Sequence, residues 1–215
     1  MYIANTPPMH KYQHLTNVKP LTKGEIAAIN EACGNGWRKV FNVYAKLLFA
    51  LDNNLFHYSD NTTSWQEYRD KFLLQQGSGT ALLFSAPQLE KSVFTDNVGD
   101  DCIRRVHQGK IEKLRNIVHI ICGKNHGEML AVQSNSAYLN STNLNTNTNS
   151  VLDIKSELVH YNSVIKLQWL EPNFAIDNNN NLIVCPYFDY RQLSNEKIES
   201  LIEIIIAMKY YSSKI

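Results

Sequence analysis

The sequence predicts an α/β fold, a three-layer sandwich whose mainly parallel central sheet is flanked by helices. Three observations carry that reading. Short apolar runs, "TALLF" at Thr80–Phe84 and "IVHIIC" at Ile117–Cys122, suit strands buried between helical layers rather than strands with one wet face. A stretch long enough for a crossover helix separates them, as a parallel connection requires. Amphipathic helical patterns stand at both ends of the chain. With 215 residues and 44% hydrophobic content, the chain is expected to form one α/β domain over residues 1–215.

The elements follow in order. Thr22 and Glu25 have capping-box spacing, Ile26, Ile29 and Cys33 share a helical face, and Gly34 stops that short helix. Asn35 is expected to cap the next helix, where Trp37, Val40, Phe41, Tyr44, Leu47, Leu48 and Leu51 recur at helical spacing. Val43, Phe49 and Ala50 widen its apolar surface, so it should be packed on most sides. Ser64 and Glu67 form a second capping box, with Trp65, Tyr68 and Phe72 facing inward and Gly77 as the stop.

After the Thr80–Phe84 strand, Pro87 forbids continuation within a sheet. Asp100 and Asp101 suit a helix N-terminus, and Ile103, Val106 and Leu114 continue a weak periodicity up to the Ile117–Cys122 strand. "SNSAYLNSTNLNTNTNS", Ser134–Ser150, holds too little apolar material for a core and reads as a flexible surface insertion. "VIKLQWL", Val164–Leu170, predicts a strand. "FAID", four asparagines and "LIVCPYF" predict a hairpin that ends in a buried strand. Ser194 caps a final helix with Ile198, Leu201, Ile202 and Ile205 on one face.

Composition excludes several classes. A formal net charge of +1 gives no broad positive field, so any nucleic-acid contact must be local. The N-terminal segment has no signal-peptide pattern and no stretch is apolar enough for a bilayer, so a cytoplasmic location without a membrane partner is expected. Cys33, Cys102, Cys122 and Cys185 are scattered without a Cys-x-x-Cys pair, which argues for reduced thiols. No P-loop is present, and Gly77-Ser78-Gly79 precedes its strand, the wrong end for a dinucleotide fingerprint. No motif calls for a cofactor, and no metal site is assigned.

Ligands of open α/β sheets gather beyond the carboxyl ends of the strands. That rule selects Ser85–Glu90, Gly123–Glu128 and Pro186–Ser194, with Ser85 as a flanking polar group. In the second segment Gly123 and Gly127 bracket Lys124, Asn125 and His126, either a solvated polar loop or a phosphate or nucleobase site. In the third, Tyr187 and Tyr190 can stack on a base, Arg191 can grip phosphate, and Asp189 can act as a general base. The alternative there is an Asp189–Arg191 ion pair that fixes the turn. Cys122 and Cys185 read as buried structural cysteines, with metal ligation or a Cys/His nucleophile beside His126 as the other reading.

"HIICGKNHGEML" and "LIVCPYFDYRQLSNEKIESL" together resemble the uracil-DNA glycosylase fold, over roughly the C-terminal half. In that family a late strand ends in a Gly-x-x-His-like loop and the last strand ends in a DNA-intercalating loop. Ser85-Ala86-Pro87 stands in place of the family's Gly-Gln-Asp-Pro loop, and Cys185-Pro186-Tyr187 in place of its His-Pro-Ser loop. The whole chain also resembles a bacterial protein of an uncharacterised family. The resemblance implies an end-of-sheet site for a nucleotide, nucleobase or nucleic acid, with His126 and Asp189 as acid/base groups and Lys124 and Arg191 on phosphate. A non-catalytic binding or interaction protein on the same scaffold is the competing class.

Overall fold

The computed structural model describes residues 1–51, 54–87, 89, 117–144 and 164–212. The expected helix around residues 100–114, Cys102, Glu90 and residues 145–150 lie outside them. A short helix α1, His10–Gln13, precedes α2, Glu25–Cys33, and α3, Asn35–Phe49. At α2 the Thr22–Glu25 box works through the glutamate, whose carboxylate accepts from the Thr22 N–H at 2.8 Å and from its hydroxyl at 3.0 Å. Gly34, at φ +73°, ends α2 and also takes the N-cap position expected for Asn35. Eight buried residues on α3, from Trp37 to Leu48, match a helix packed on most sides.

α4 spans Trp65–Lys71, and Ser64 Oγ accepts from the Glu67 N–H at 3.2 Å as the capping box predicts. The helix stops well before Gly77, and Phe72, expected inward, is exposed. Leu74 takes a left-handed conformation at φ 60° just beyond it.

The named sheet has the order β1–β4–β3–β2, with β1 at His119–Cys122, β2 at Gln168–Glu171, β3 at Phe174–Asp177 and β4 at Leu182–Cys185. β1 and β4 are parallel, while β4–β3 and β3–β2 are antiparallel, so the sheet is mixed rather than mainly parallel. The reason is local. The 3-10 turn Asn178–Asn180 and Asn181, at φ 47°, return the chain directly from β3 to β4, and a tight turn can only make an antiparallel pair. Buried Asp177 holds that turn together, accepting from the N–H groups of Lys166 and Asn179 and from the Asn180 amide.

The expected Thr80–Phe84 strand shrinks to a parallel bridge between Leu83 and Tyr2, and Tyr2 bridges Ile121 of β1 in turn. The N-terminal residues thus lie between Leu83 and β1, with Met1, Tyr2 and Ile3 all buried. Three residues are too few to show a period, which is why the sequence pattern did not expose this segment.

Two helices complete the described fold: α5, Lys124–Leu144, and α6, Asn195–Ser212. Alternate strand residues enter two cores, one on each face of the sheet. Ile120, Cys122, Ile183 and Cys185 join the larger cluster with α2, α3, α4 and α6, whereas Ile121, Leu182 and Val184 join a smaller one with Leu130 of α5. α5 runs on through residues 134–144, the first part of the segment expected to be an insertion, and Ser134 Oγ both donates to Ala131 O and accepts from the Ile165 N–H.

Candidate functional site

In parallel register, Cys122 lies opposite Cys185, so β1 and β4 finish side by side. The helices that follow them leave to opposite faces: Leu130 of α5 packs in the smaller core, while Ile198, Leu201 and Ile205 of α6 pack in the larger one. Neighbouring parallel strands with connections to opposite faces leave a crevice beyond their carboxyl ends. The parallel bridges of Tyr2 and Leu83 direct the chain after them toward that same end, bringing Asn5 and the exposed Ser85 there.

Gly123 builds the centre of this end. Its N–H donates to Cys185 O at 2.9 Å, prolonging the parallel ladder, and its carbonyl accepts the Gly127 N–H at 3.0 Å as the first helical bond. A φ of +99° makes that turn a glycine conformation. What the sequence suggested as a loop at Gly123–Glu128 is therefore a tight entry into α5, and Lys124, Asn125 and His126 form its first turn. Amides of a first helical turn have no acceptor within the helix and carry the positive end of its dipole. Gly127 serves packing: a Cβ there would lie 2.6 Å from both methyl carbons of Val184. The absence of that Cβ lets α5 lie directly on β4.

His126 and Tyr187 flank the turn, since a Cβ on Gly123 would meet His126 Cβ and Tyr187 Cδ2 at 3.9 Å each. Burial raises the Tyr187 hydroxyl pKa, partly offset by a side-chain hydrogen bond with Asn5. Burial lowers the His126 pKa, which favours the neutral ring. Its Nδ1 is buried without a hydrogen-bond partner among the described residues. Such an atom ordinarily has a partner.

The remaining expected residues divide between two sides. Asp189 accepts from Lys39 Nζ at 2.8 Å and from the Arg191 backbone N–H at 3.0 Å, and these bonds hold its carboxyl below the ordinary range. The anticipated Asp189–Arg191 ion pair is thus replaced: Lys39 supplies the charge and Arg191 supplies an amide. The Lys39 ammonium also lies 4.9 Å from the Tyr190 ring centre, and the Arg191 guanidinium lies 5.9 Å from it. Lys124 extends the other way, to 4.8 Å from the centre of Trp169 on β2. There it lines an open groove of about 370 Å³ with Glu128, Trp169, Leu170, Glu171 and Pro172. Asn125 is exposed.

The geometry therefore gathers Gly123, His126 and Tyr187, while Lys124 and the Asp189–Arg191 turn engage separate neighbours. Asn5 and Lys39 are partners that the sequence reading missed. Asn5 follows the buried Met1–Ile3 segment, a weak signal for a strand end. Lys39 lies on α3, 150 residues from Asp189, and no local pattern links them. Among the described residues no group of three or more His, Cys, Asp or Glu is placed to hold a metal ion, and no helix is long and apolar enough to cross a membrane.

A family model described as a family of unknown function, DUF6942, matches residues 1–158 and 153–206. No curated protein and no solved structure matches the chain.

Proposed function

The chain belongs to the family of unknown function DUF6942, and from its geometry we propose that it binds a nucleotide, or a nucleic-acid end carrying phosphate and base, beyond the carboxyl ends of β1 and β4. One observation carries the reading: β1 and β4 are adjacent and parallel, and their following helices depart to opposite faces. In this reading the phosphate rests on the free amides of Lys124, Asn125 and His126, where the α5 dipole favours negative charge. Tyr187 offers a ring to the base, and His126 stands beside it across the Gly123 turn.

Binding fits these groups better than acid/base catalysis by Asp189, because its two oxygens are already engaged by Lys39 and the Arg191 amide. Lys124 and Arg191 act at the margins, drawing an anionic ligand from either side. The same reading takes the fold as a three-layer sandwich, which α5 in the smaller core and α3 and α6 in the larger one support, with the site at an end rather than on a face. Cytoplasmic location belongs to the same reading, since Cys33, Cys122 and Cys185 are free thiols.

Calorimetric titration of the full chain with nucleoside monophosphates, inorganic phosphate and a short single-stranded oligonucleotide tests this. The expected result is binding that weakens as salt rises, with Tyr187→Ala reducing nucleotide affinity about 10-fold, the equivalent of one stacking contact. Inorganic phosphate should lose nothing by that substitution. Absence of binding to all three ligands by folded protein would overturn the proposal. Release of free base from a uracil-containing oligonucleotide would move the reading from binding to glycosylase chemistry.

A further inference from the structure

Cys122 ends β1, Cys185 ends β4, and the parallel register sets them opposite each other. Both enter the larger core, so their side chains share one face of the sheet. They are 1% and 0% exposed. Cys185 Sγ donates to Ile121 O at 3.6 Å, and Cys185 also makes a side-chain hydrogen bond with Cys122. Neighbouring strands lie ~4.8 Å apart, within the ~4.4–6.8 Å Cα separation that a disulfide spans. The spacing of the two strand ends thus falls inside the Cα range that a disulfide bridges.

We propose that Cys122 and Cys185 form a paired oxidation site, a dithiol that hydrogen peroxide converts into a disulfide tying the end of β1 to the end of β4. Peroxide is named as the oxidant because a reagent scarcely larger than water can reach thiols this deeply buried when the strand ends open. One thiol, as its thiolate, attacks a peroxide oxygen; the O–O bond breaks, a sulfenic acid forms and one water leaves. The second thiol attacks that sulfur, the S–S bond forms, the S–O bond breaks and the hydroxyl departs with a proton as a second water. Two thiols thus give two electrons and two protons, and one peroxide becomes two waters.

The pairing is specific to this place. Cys33 is half-buried at the end of α2 and has no cysteine beside it among the described residues. Burial pushes the Cys185 thiol well above its ordinary pKa, and the hydrogen bond with Cys122 adds to this. Cys185 is therefore slow to form a thiolate in the closed protein, and more of it forms as pH rises. Once formed, the link would fix the two strand ends from which the Gly123 and Pro186 turns depart.

The test uses native full-length protein exposed to peroxide, quenched with an alkylating agent and digested without reductant for mass spectrometry. The expected result is a loss of about 2 Da that dithiothreitol reverses, mapping to one linked peptide pair containing Cys122 and Cys185. Cys122→Ala and Cys185→Ala should each abolish it. The wild-type map decides the matter even if either variant fails to fold. Oxygen added separately to the two sulfurs, pairing with Cys33 or Cys102, or a link that appears only in guanidinium would overturn the proposal, as would unaltered mass.

Discussion

Gly127 sets how closely α5 can approach β4. In a helix interior, replacing glycine by alanine ordinarily stabilises by about 1 kcal/mol. Here the added carbon would fall 2.6 Å from the Val184 methyls, and overpacking of a tight core costs roughly 1–3 kcal/mol. The clash should win. Urea denaturation is expected to show Gly127→Ala destabilised, with Val184→Ala in the same chain recovering part of the loss; an alanine variant more stable than wild type would contradict the close packing. His119 gives a second prediction. The Tyr2 hydroxyl and His119 Nδ1 lie 2.8 Å apart and the rings stack at 5.7 Å, and burial lowers the imidazole from 6.5 to about 4. The unfolded chain takes up the proton more readily, so this group's contribution is complete above about pH 6.5 and is lost as pH falls toward about 4. The drop in urea midpoint between about pH 7 and about pH 5 should therefore be smaller in His119→Gln.

Among the elements, the pair Lys39–Asp189 joins α3 to the turn between β4 and α6, with side chains 20% and 22% exposed. At that exposure solvent screens the pair, and Lys39→Met is expected to cost about 1 kcal/mol at neutral pH. The same change should raise the Asp189 pKa, since Lys39 is the chief cause of its depression. NMR titration of the carboxyl carbon reads that shift, and an Asp189 that titrates identically in both proteins would remove Lys39 as its partner. This pair also shows where sequence reading stops. Capping boxes at Thr22 and Ser64, the apolar face of α3 and the terminal helix could be read because their signals lie within a few residues. The β3–β4 hairpin could be read too, from its asparagines, but the mainly parallel sheet could not hold, because Thr80–Phe84 contributes only a bridge and the antiparallel pairs outnumber the parallel one among the named strands. Ser134–Leu144 shows another limit: polar composition argues against a core but does not forbid a helix. At the site, Gly123 and His126 were legible as an unusual turn, whereas Asn5 meets Tyr187, and Lys39 meets Asp189 beside it in the chain, only through tertiary packing.

At the scale of the whole molecule, the sheet gives its two ends different characters. One end carries the β3–β4 turn, closed by Asp177 and its hydrogen bonds. The other brings the carboxyl ends of β1 and β4 together with the first turn of α5, the Tyr187 ring and His126. The central claim is that a phosphate-bearing nucleotide occupies this second end. Titration of ¹⁵N-labelled protein with a nucleoside monophosphate tests it most directly, because amide shifts report position as well as affinity. The account predicts saturable shifts centred on the amides of Gly123, Lys124, Asn125, His126 and Tyr187, with those of the Asn178–Asn181 turn unmoved. Saturable shifts confined to the Trp169 groove or to the Tyr190–Arg191 surface, or a spectrum unchanged at saturating nucleotide, would contradict it.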